Sequence, residues 1–140
     1  MSDASGHRPV PVTDDPDTAG FFEAARRGQL ALRFCPRCNL VVHFPRAYCD
    51  RCPGSATEWR TVRPAATLYS FTRCEHQVHR AFPVPYTLVL VELDDHPGAR
   101  LVGHLPGTPE LVIGAPMRVS FEELPDGSVL PQWSPVPATG

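Results

Sequence analysis

From about residue 66 onward, apolar residues alternate with polar ones in short runs closed by turn-forming residues, the period-two signature of strands with one buried face. Runs at 66–74, 86–93 (YTLVLVEL, the strongest), 100–105, 116–124 (PMRVSFEEL) and 129–133 predict five antiparallel strands. The breaks between them carry turn chemistry, as in Asp94-Asp95-His96-Pro97-Gly98 and Pro125-Asp126-Gly127-Ser128. Five strands joined by polar turns predict a small Greek-key barrel, and the OB-fold is the commonest five-stranded version. The link at 108–114 is too short for a full helix between the third and fourth strands.

The pattern before residue 64 is different. Asp14, Asp17 and Thr18 offer N-cap oxygens, Pro16 suits a helix entry, and Gly28 can stop a helix in a left-handed conformation, which predicts a helix over 17–27. Phe21, Phe22 and Ala25 share one side of it, while Glu23, Arg26 and Arg27 face solvent. Two adjacent phenylalanines exceed what so short a helix needs for itself, so they dock either on the body of the protein or on a partner subunit. Residues 29–34 read as a strand, 40–44 as a hairpin and 57–62 as a further strand, with Trp59 expected as a core residue over the base of the cysteine site described next. The organisation expected is a flexible N-terminus at 1–16, a helix plus ribbon at 17–63, an OB barrel at 64–135 and a tail at 136–140.

Two Cys-x-x-Cys pairs, Cys35-Pro36-Arg37-Cys38 and Cys49-Asp50-Arg51-Cys52, stand ten residues apart. Each such turn supplies two sulfurs to one soft divalent ion, and two facing turns complete a tetrahedral zinc site. A hairpin across the intervening segment brings the pairs together. Four thiolates leave the ion no open position, so the expected Zn²⁺ is structural and does not activate water. Disulfides would instead require an oxidising compartment. The fifth cysteine, Cys74, has no partner left, and its role stays open between a nucleophile and a small core residue.

The 17 prolines argue for a strand-and-loop protein with few long helices. Residues 1–17 hold no apolar core of a signal peptide, and the aliphatic run 88–91 is far too short to span a bilayer, which predicts a soluble, cytoplasmic protein with no membrane partner. Net charge is only −2, yet it is unevenly spread. Between Arg26 and Arg80 ten arginines face three acids, a local balance of +7, and the chain has no lysine at all. A tetrathiolate zinc centre lowers that balance by about two charges. This part should attract anions, such as phosphates or an acidic protein surface, unless its arginines are merely solvated.

The order of these features resembles a family, the acyl-CoA-associated OB-fold proteins with a rubredoxin-like zinc ribbon, long catalogued as a domain of unknown function. The resemblance runs from about Phe21 to Pro135. It is carried by Gly28-Gln29-Leu30 after the helix, both knuckles with Phe44-Pro45-Arg46 between them, and Leu68-Tyr69-Ser70-Phe71-Thr72. Pro85-Tyr86 leading into Val89-Leu90-Val91-Glu92-Leu93, and Ile113-Gly114 before Met117-Arg118-Val119, complete it. Asn39 and Pro53 stand where glycine commonly follows a knuckle, and Pro64-Ala65-Ala66 replaces a glycine-rich entry to the barrel. The fold implied is mainly β, with an N-terminal helix, a rubredoxin-like zinc ribbon and a five-stranded OB-fold barrel. The resemblance implies an accessory subunit without activity of its own, bound to a thiolase-like acyl-CoA enzyme such as a steroid side-chain aldolase or an acyltransferase. It further implies a heterotetramer around that enzyme's dimer, with an acyl-CoA thioester at the interface. A MaoC-type enoyl-CoA hydratase is the other partner that such proteins take.

The residues taken alone offer no catalytic set. His76 and His79 sit in what reads as a loop, and Glu122 and Glu123, adjacent in a strand, point to opposite faces. His104, Cys74 and Glu75 add no nucleophile–base–orienter group. Nucleic-acid binding is the rival reading, because zinc ribbons and OB-folds both bind it. The acidic barrel segment, lacking evenly spaced aromatics flanked by basic residues, argues against it. Arg33, Arg37, Arg46 and Arg51 are the candidates for phosphate or interface contacts.

Overall fold

The computed structural model describes residues 7–137. Its single helix among them, α1 (Ala19–Arg26), is shorter than the pattern suggested, and Thr18 makes no side-chain cap. Gly28 adopts φ +71 after it, and the Gln29 amide donates back to the Ala24 carbonyl at 2.9 Å, so the left-handed glycine stop forms as expected. Ala24 and Ala25 are buried on its inner face, and Phe21 packs against the common core.

Three strands follow: β1 (Leu30–Phe34), β2 (Val41–Val42) and β3 (Glu58–Val62) form an antiparallel sheet in the order β2-β1-β3. The remaining five strands, β4 (Ala65–Cys74), β5 (Tyr86–Leu93), β6 (Arg100–Pro106), β7 (Pro116–Glu123) and β8 (Val129–Pro135), form a second antiparallel sheet in the order β6-β5-β4-β7-β8. This is the mainly β architecture with an OB-type five-stranded unit that the alternation predicted. All the predicted runs except 86–93 shift by one or two residues at an end, where fraying makes boundaries soft. β5 shows the period of two directly, with Thr87, Val89, Val91 and Leu93 buried and the residues between them half-buried.

β6 and β8 are the two ends of the second sheet. Between them, a side chain stands in for a ladder: the His104 amide donates to Gln132 Oε1 at 2.8 Å. The region where these two edge strands face each other is the seam of the barrel, and α1 and the loop after β2 stand beside it.

The core is continuous between the two sheets. Leu30, Leu32, Phe34 and Val62 of the ribbon join Leu68, Val89, Val91, Leu93, Leu101, Met117 and Trp133 of the barrel in one buried cluster. Each fully buried side chain of this size contributes roughly 1.5–3 kcal/mol of transfer free energy. Trp59 departs from expectation. It is half-buried, with its indole against Gly20 of α1 and the Arg33 guanidinium 4.7 Å from its ring centre. The β3–β1 register sets Trp59 opposite Arg33, which explains the pairing.

Candidate metal centre and barrel groove

The first knuckle leaves β1 at Cys35. Its amide donates to the Leu40 carbonyl at 2.9 Å, and the Asn39 amide donates to the Cys35 carbonyl at 2.8 Å, closing a turn around the thiols. Asn39 has φ 59, so an asparagine serves the left-handed position that glycine commonly fills. In the second knuckle that conformation moves one residue on, past Pro53 to Gly54 at φ +80. The Cys49 amide donates to the Ser55 carbonyl at 3.0 Å, and the Ser55 amide donates to the Cys52 carbonyl at 2.9 Å.

These turns place the Sγ atoms of Cys35, Cys38, Cys49 and Cys52 within 4.8 Å of one another, with Cys35 and Cys49 buried. Cys38 and Cys49 are 3.7 Å apart, sulfur to sulfur. Zinc–sulfur bonds of about 2.3 Å in a tetrahedron set an edge of about 3.8 Å, so the donor set fits a zinc ion. The four thiols differ in how readily they ionise. The Ser55 hydroxyl, against the opposing effect of burial, and the neighbouring amides of the first knuckle hold Cys35 down at about 6. Hydrogen bonding to Cys38, burial and the nearby Cys35 push Cys52 up to about 12. Four sulfurs this close become thiolates together only when a cation compensates them, which is the chemistry of a metal centre.

The structure separates the four candidate arginines. Arg33 is committed internally: Nη2 donates to the Pro16 carbonyl at 2.8 Å, Nε to the Asp17 carbonyl at 3.2 Å and Nη1 to Thr57 Oγ1 at 3.0 Å. It therefore ties the entry of α1 to Thr57, just before β3, and is removed from the phosphate candidates. Arg46 is ion-paired with Asp50, on the exposed surface. Arg37 and Arg51 stand exposed on the two knuckles.

Of the other singled-out groups, His76 stands apart, while His79 and His104 meet the Phe82 ring at 6.0 and 5.6 Å, and Cys74 and Glu122 border that cluster through Tyr86 and Arg8. His76 is exposed, and His79 Nδ1 accepts from the Ala81 amide at 3.0 Å. Cys74 is half-buried opposite Tyr86, whose hydroxyl it pushes above the usual phenol range, mainly through a hydrogen bond. Glu122 takes a two-pronged ion pair from Arg8, both bonds 2.9 Å, and accepts from Gln132 Nε2 at 3.0 Å, whereas Glu123 is exposed. Arg8 is the main reason that the Glu122 carboxyl sits below its ordinary value.

A feature without any motif lies at the barrel seam. A groove of about 390 Å³ runs between α1, the loop His43-Phe44-Pro45 and the facing strands β6 and β8, walled largely by apolar side chains. His104, a candidate from the sequence, lies in it, joined by Arg8, His43 and Trp133, which sequence reasoning missed. Trp133 is fully buried. A wider groove of about 510 Å³ borders the other side of α1, between Glu23, Arg26, Trp59 and the β7–β8 turn, with a more polar lining.

Comparison with known proteins matches residues 59–122 to a family described as "ChsH2, C-terminal OB-fold domain". A protein of Thermomonospora curvata called "Probable enoyl-CoA hydratase alpha subunit" is 36% identical over 132 residues, or 91% of this chain. The chain spans only 40% of that relative's length. A solved structure titled "Ltp2-ChsH2(DUF35) aldolase" superposes with a TM-score of 0.78 at 31% identity, covering 91% of this chain and 98% of that one. A DUF35-family protein of unknown function from Sulfolobus solfataricus, 16% identical with a TM-score of 0.59 over 76% of this chain and 77% of that one, shares the fold. With 31% identity and a common fold along 98% of the matched chain, and with the barrel residues matched by the ChsH2 OB-fold model, this protein belongs to the DUF35 family of ChsH2-like OB-fold proteins.

Proposed function

We propose that this protein is a non-catalytic accessory subunit that binds and stabilises a thiolase-like acyl-CoA enzyme and helps form its acyl-CoA site. The observation that carries the reading is the likeness to the solved structure titled an Ltp2-ChsH2(DUF35) aldolase, which covers 91% of this chain and 98% of the matched one. The partners of the candidate groups support it: Cys74 is engaged by Tyr86, and Glu122 by Arg8 and Gln132, rather than by one another as nucleophile, base and orienter. In this reading Cys35, Cys38, Cys49 and Cys52 ligate one structural Zn²⁺, and the exposed Arg37 and Arg51 face the partner or the phosphates of coenzyme A. The complex is a heterotetramer around the partner's dimer, acting in the cytoplasm on a steroid side chain or another acyl thioester.

The relative named as an enoyl-CoA hydratase subunit favours a second reading, a MaoC-type hydratase partner, because it shares 36% of residues over nearly the whole chain. Co-expression decides between these. A thiolase-like protein encoded beside this chain, and separately a MaoC-type protein, are produced with and without it, and soluble yield and acyl-CoA cleavage or hydration are measured. A partner equally soluble and active alone defeats the accessory role. Metal analysis of the purified chain should find about one zinc, and far less would remove the tetrathiolate site.

A further inference from the structure

Five buried side-chain nitrogen atoms lack a hydrogen-bond partner among the described residues, and four of them, Arg8 Nε, His43 Nδ1, His104 Nε2 and Trp133 Nε1, belong to residues lining the seam groove. Buried polar groups are normally satisfied, and each one left over costs about 1–3 kcal/mol, so a cluster in one place signals a missing counterpart. Indole and guanidinium nitrogens only donate, while a neutral imidazole nitrogen donates or accepts. Burial, the foremost cause in both, lowers the pKa of His43 and His104, which favours their neutral form. Besides Thr18, Arg100 and Gln132 the remaining walls are apolar, among them Phe21 and Phe22 from α1, Phe44 at 77% exposure on the rim and Val102 at 59%. The volume lies within the range of small-molecule sites, about 300–1,000 Å³.

The wall also has a reason to stay open. β6 and β8 are edge strands bridged by the Gln132 side chain, so the seam is not closed by a ladder as the β4–β5 and β5–β6 junctions are. Gly103 on β6 keeps it narrow, because a Cβ there would meet the Val89 side chain at 3.1 Å and the Trp133 amide at 3.2 Å. Gln132 and Arg8 are both tied to Glu122, which holds one end of the groove in place.

We propose that the barrel seam is a ligand-binding groove of this chain itself, taking a predominantly apolar small molecule that carries a hydroxyl or carbonyl group. The apolar body lies against Phe21, Phe44 and Val102, and the oxygen accepts from the Trp133 indole N–H. A hydroxyl adds a proton that His43 or His104 can accept. The site needs no partner enzyme, so it stands or falls separately from the accessory role.

The test uses the full-length, zinc-loaded chain, ¹⁵N-labelled, with 1-decanol, 2-decanone and decane as probes. The chain has two tryptophans, so two indole N–H signals report separately on Trp133 and on Trp59. The expected result is that decanol and decanone saturate a single site, move the Trp133 signal and leave Trp59 unmoved, with decane binding several-fold more weakly. Trp133→Phe should remove the preference for the oxygenated probes, a change of roughly 2- to 12-fold, the usual size of one neutral hydrogen bond. Phe44→Ala, at a rim position that is 77% exposed, should weaken all three probes and so tests the groove even if Trp133→Phe does not fold. Equal binding of decane and decanol, shifts spread over both indoles, or no saturable binding each overturn the proposal, the last leaving the groove to a protein segment.

Discussion

Gly20 tests how the helix is held on the ribbon, because there local propensity and tertiary packing predict opposite signs. In an exposed helix, Gly→Ala stabilises by up to about 1 kcal/mol. Here an added Cβ would lie 2.4 Å from Trp59 Cε2, 2.5 Å from Nε1 and 2.6 Å from Cδ2. The indole is rigid, and the Arg33 guanidinium, 4.7 Å from its ring centre, is itself bonded to the carbonyls of Pro16 and Asp17. The ring would have to move by about an ångström to restore van der Waals contact, at an overpacking cost of about 1–3 kcal/mol. Partial loss of the cation–π contact adds about 0.5 kcal/mol. Packing wins: Gly20→Ala should destabilise by about 1–2 kcal/mol, lowering the melting temperature by about 3–8 °C. Urea unfolding followed by far-UV circular dichroism measures this, with the Trp59→Ala background as the second arm of a double-mutant cycle. In that background the same substitution should be neutral or stabilising. An equal cost in both backgrounds, or stabilisation of the parent chain, would refute the wedge between helix and indole.

Three further outcomes are expected. Cys49→Ser should lower bound zinc well below one per chain and speed amide exchange across 35–57, while β5 stays protected by the barrel core; mass-resolved hydrogen exchange checks it, and unchanged exchange in the knuckles contradicts the site. Arg33→Lys should cost about 1–3 kcal/mol in urea unfolding, since an ammonium cannot reach Pro16, Asp17 and Thr57 in one planar fork, and parent-like stability would show that the fork is dispensable. Glu122 titrates below its ordinary value because of Arg8, so its pairing stabilises the fold above the unfolded-state value of about 4.3 and is lost as pH falls through the lower folded value. Glu122→Gln should therefore cost about 0.5–1 kcal/mol at pH 7, with the gap to the parent closing below pH ~4 in acid-series denaturation; a gap constant with pH would rule the ion pair out as its source.

Local regularities in the chain were enough for its elements and its cysteine cluster. Alternation in YTLVLVEL marks β5 because side chains in any strand change faces at every residue, and the two Cys-x-x-Cys turns bring sulfurs together by the geometry of a turn alone. Asn39 and Gly54 show that even the departures from the usual glycines keep the required left-handed backbone. The destination of each arginine was not legible. Arg33 and Arg37 carry the same charge four residues apart, yet the β1–β3 register turns one onto Trp59 and into three acceptors while the other stays in solvent.

The groove was hidden for a related reason. Arg8, His43, His104 and Trp133 come from four distant segments with no shared spacing, and in the sequence Trp133 is simply the last residue of the 129–133 run. By itself, the sequence determined the strands, the helix stop and the thiol cluster, because those follow from contacts within a few residues. Only the tertiary structure decided which polar groups find partners, because hydrogen bonds between edge strands, a helix and a loop depend on how separate elements meet.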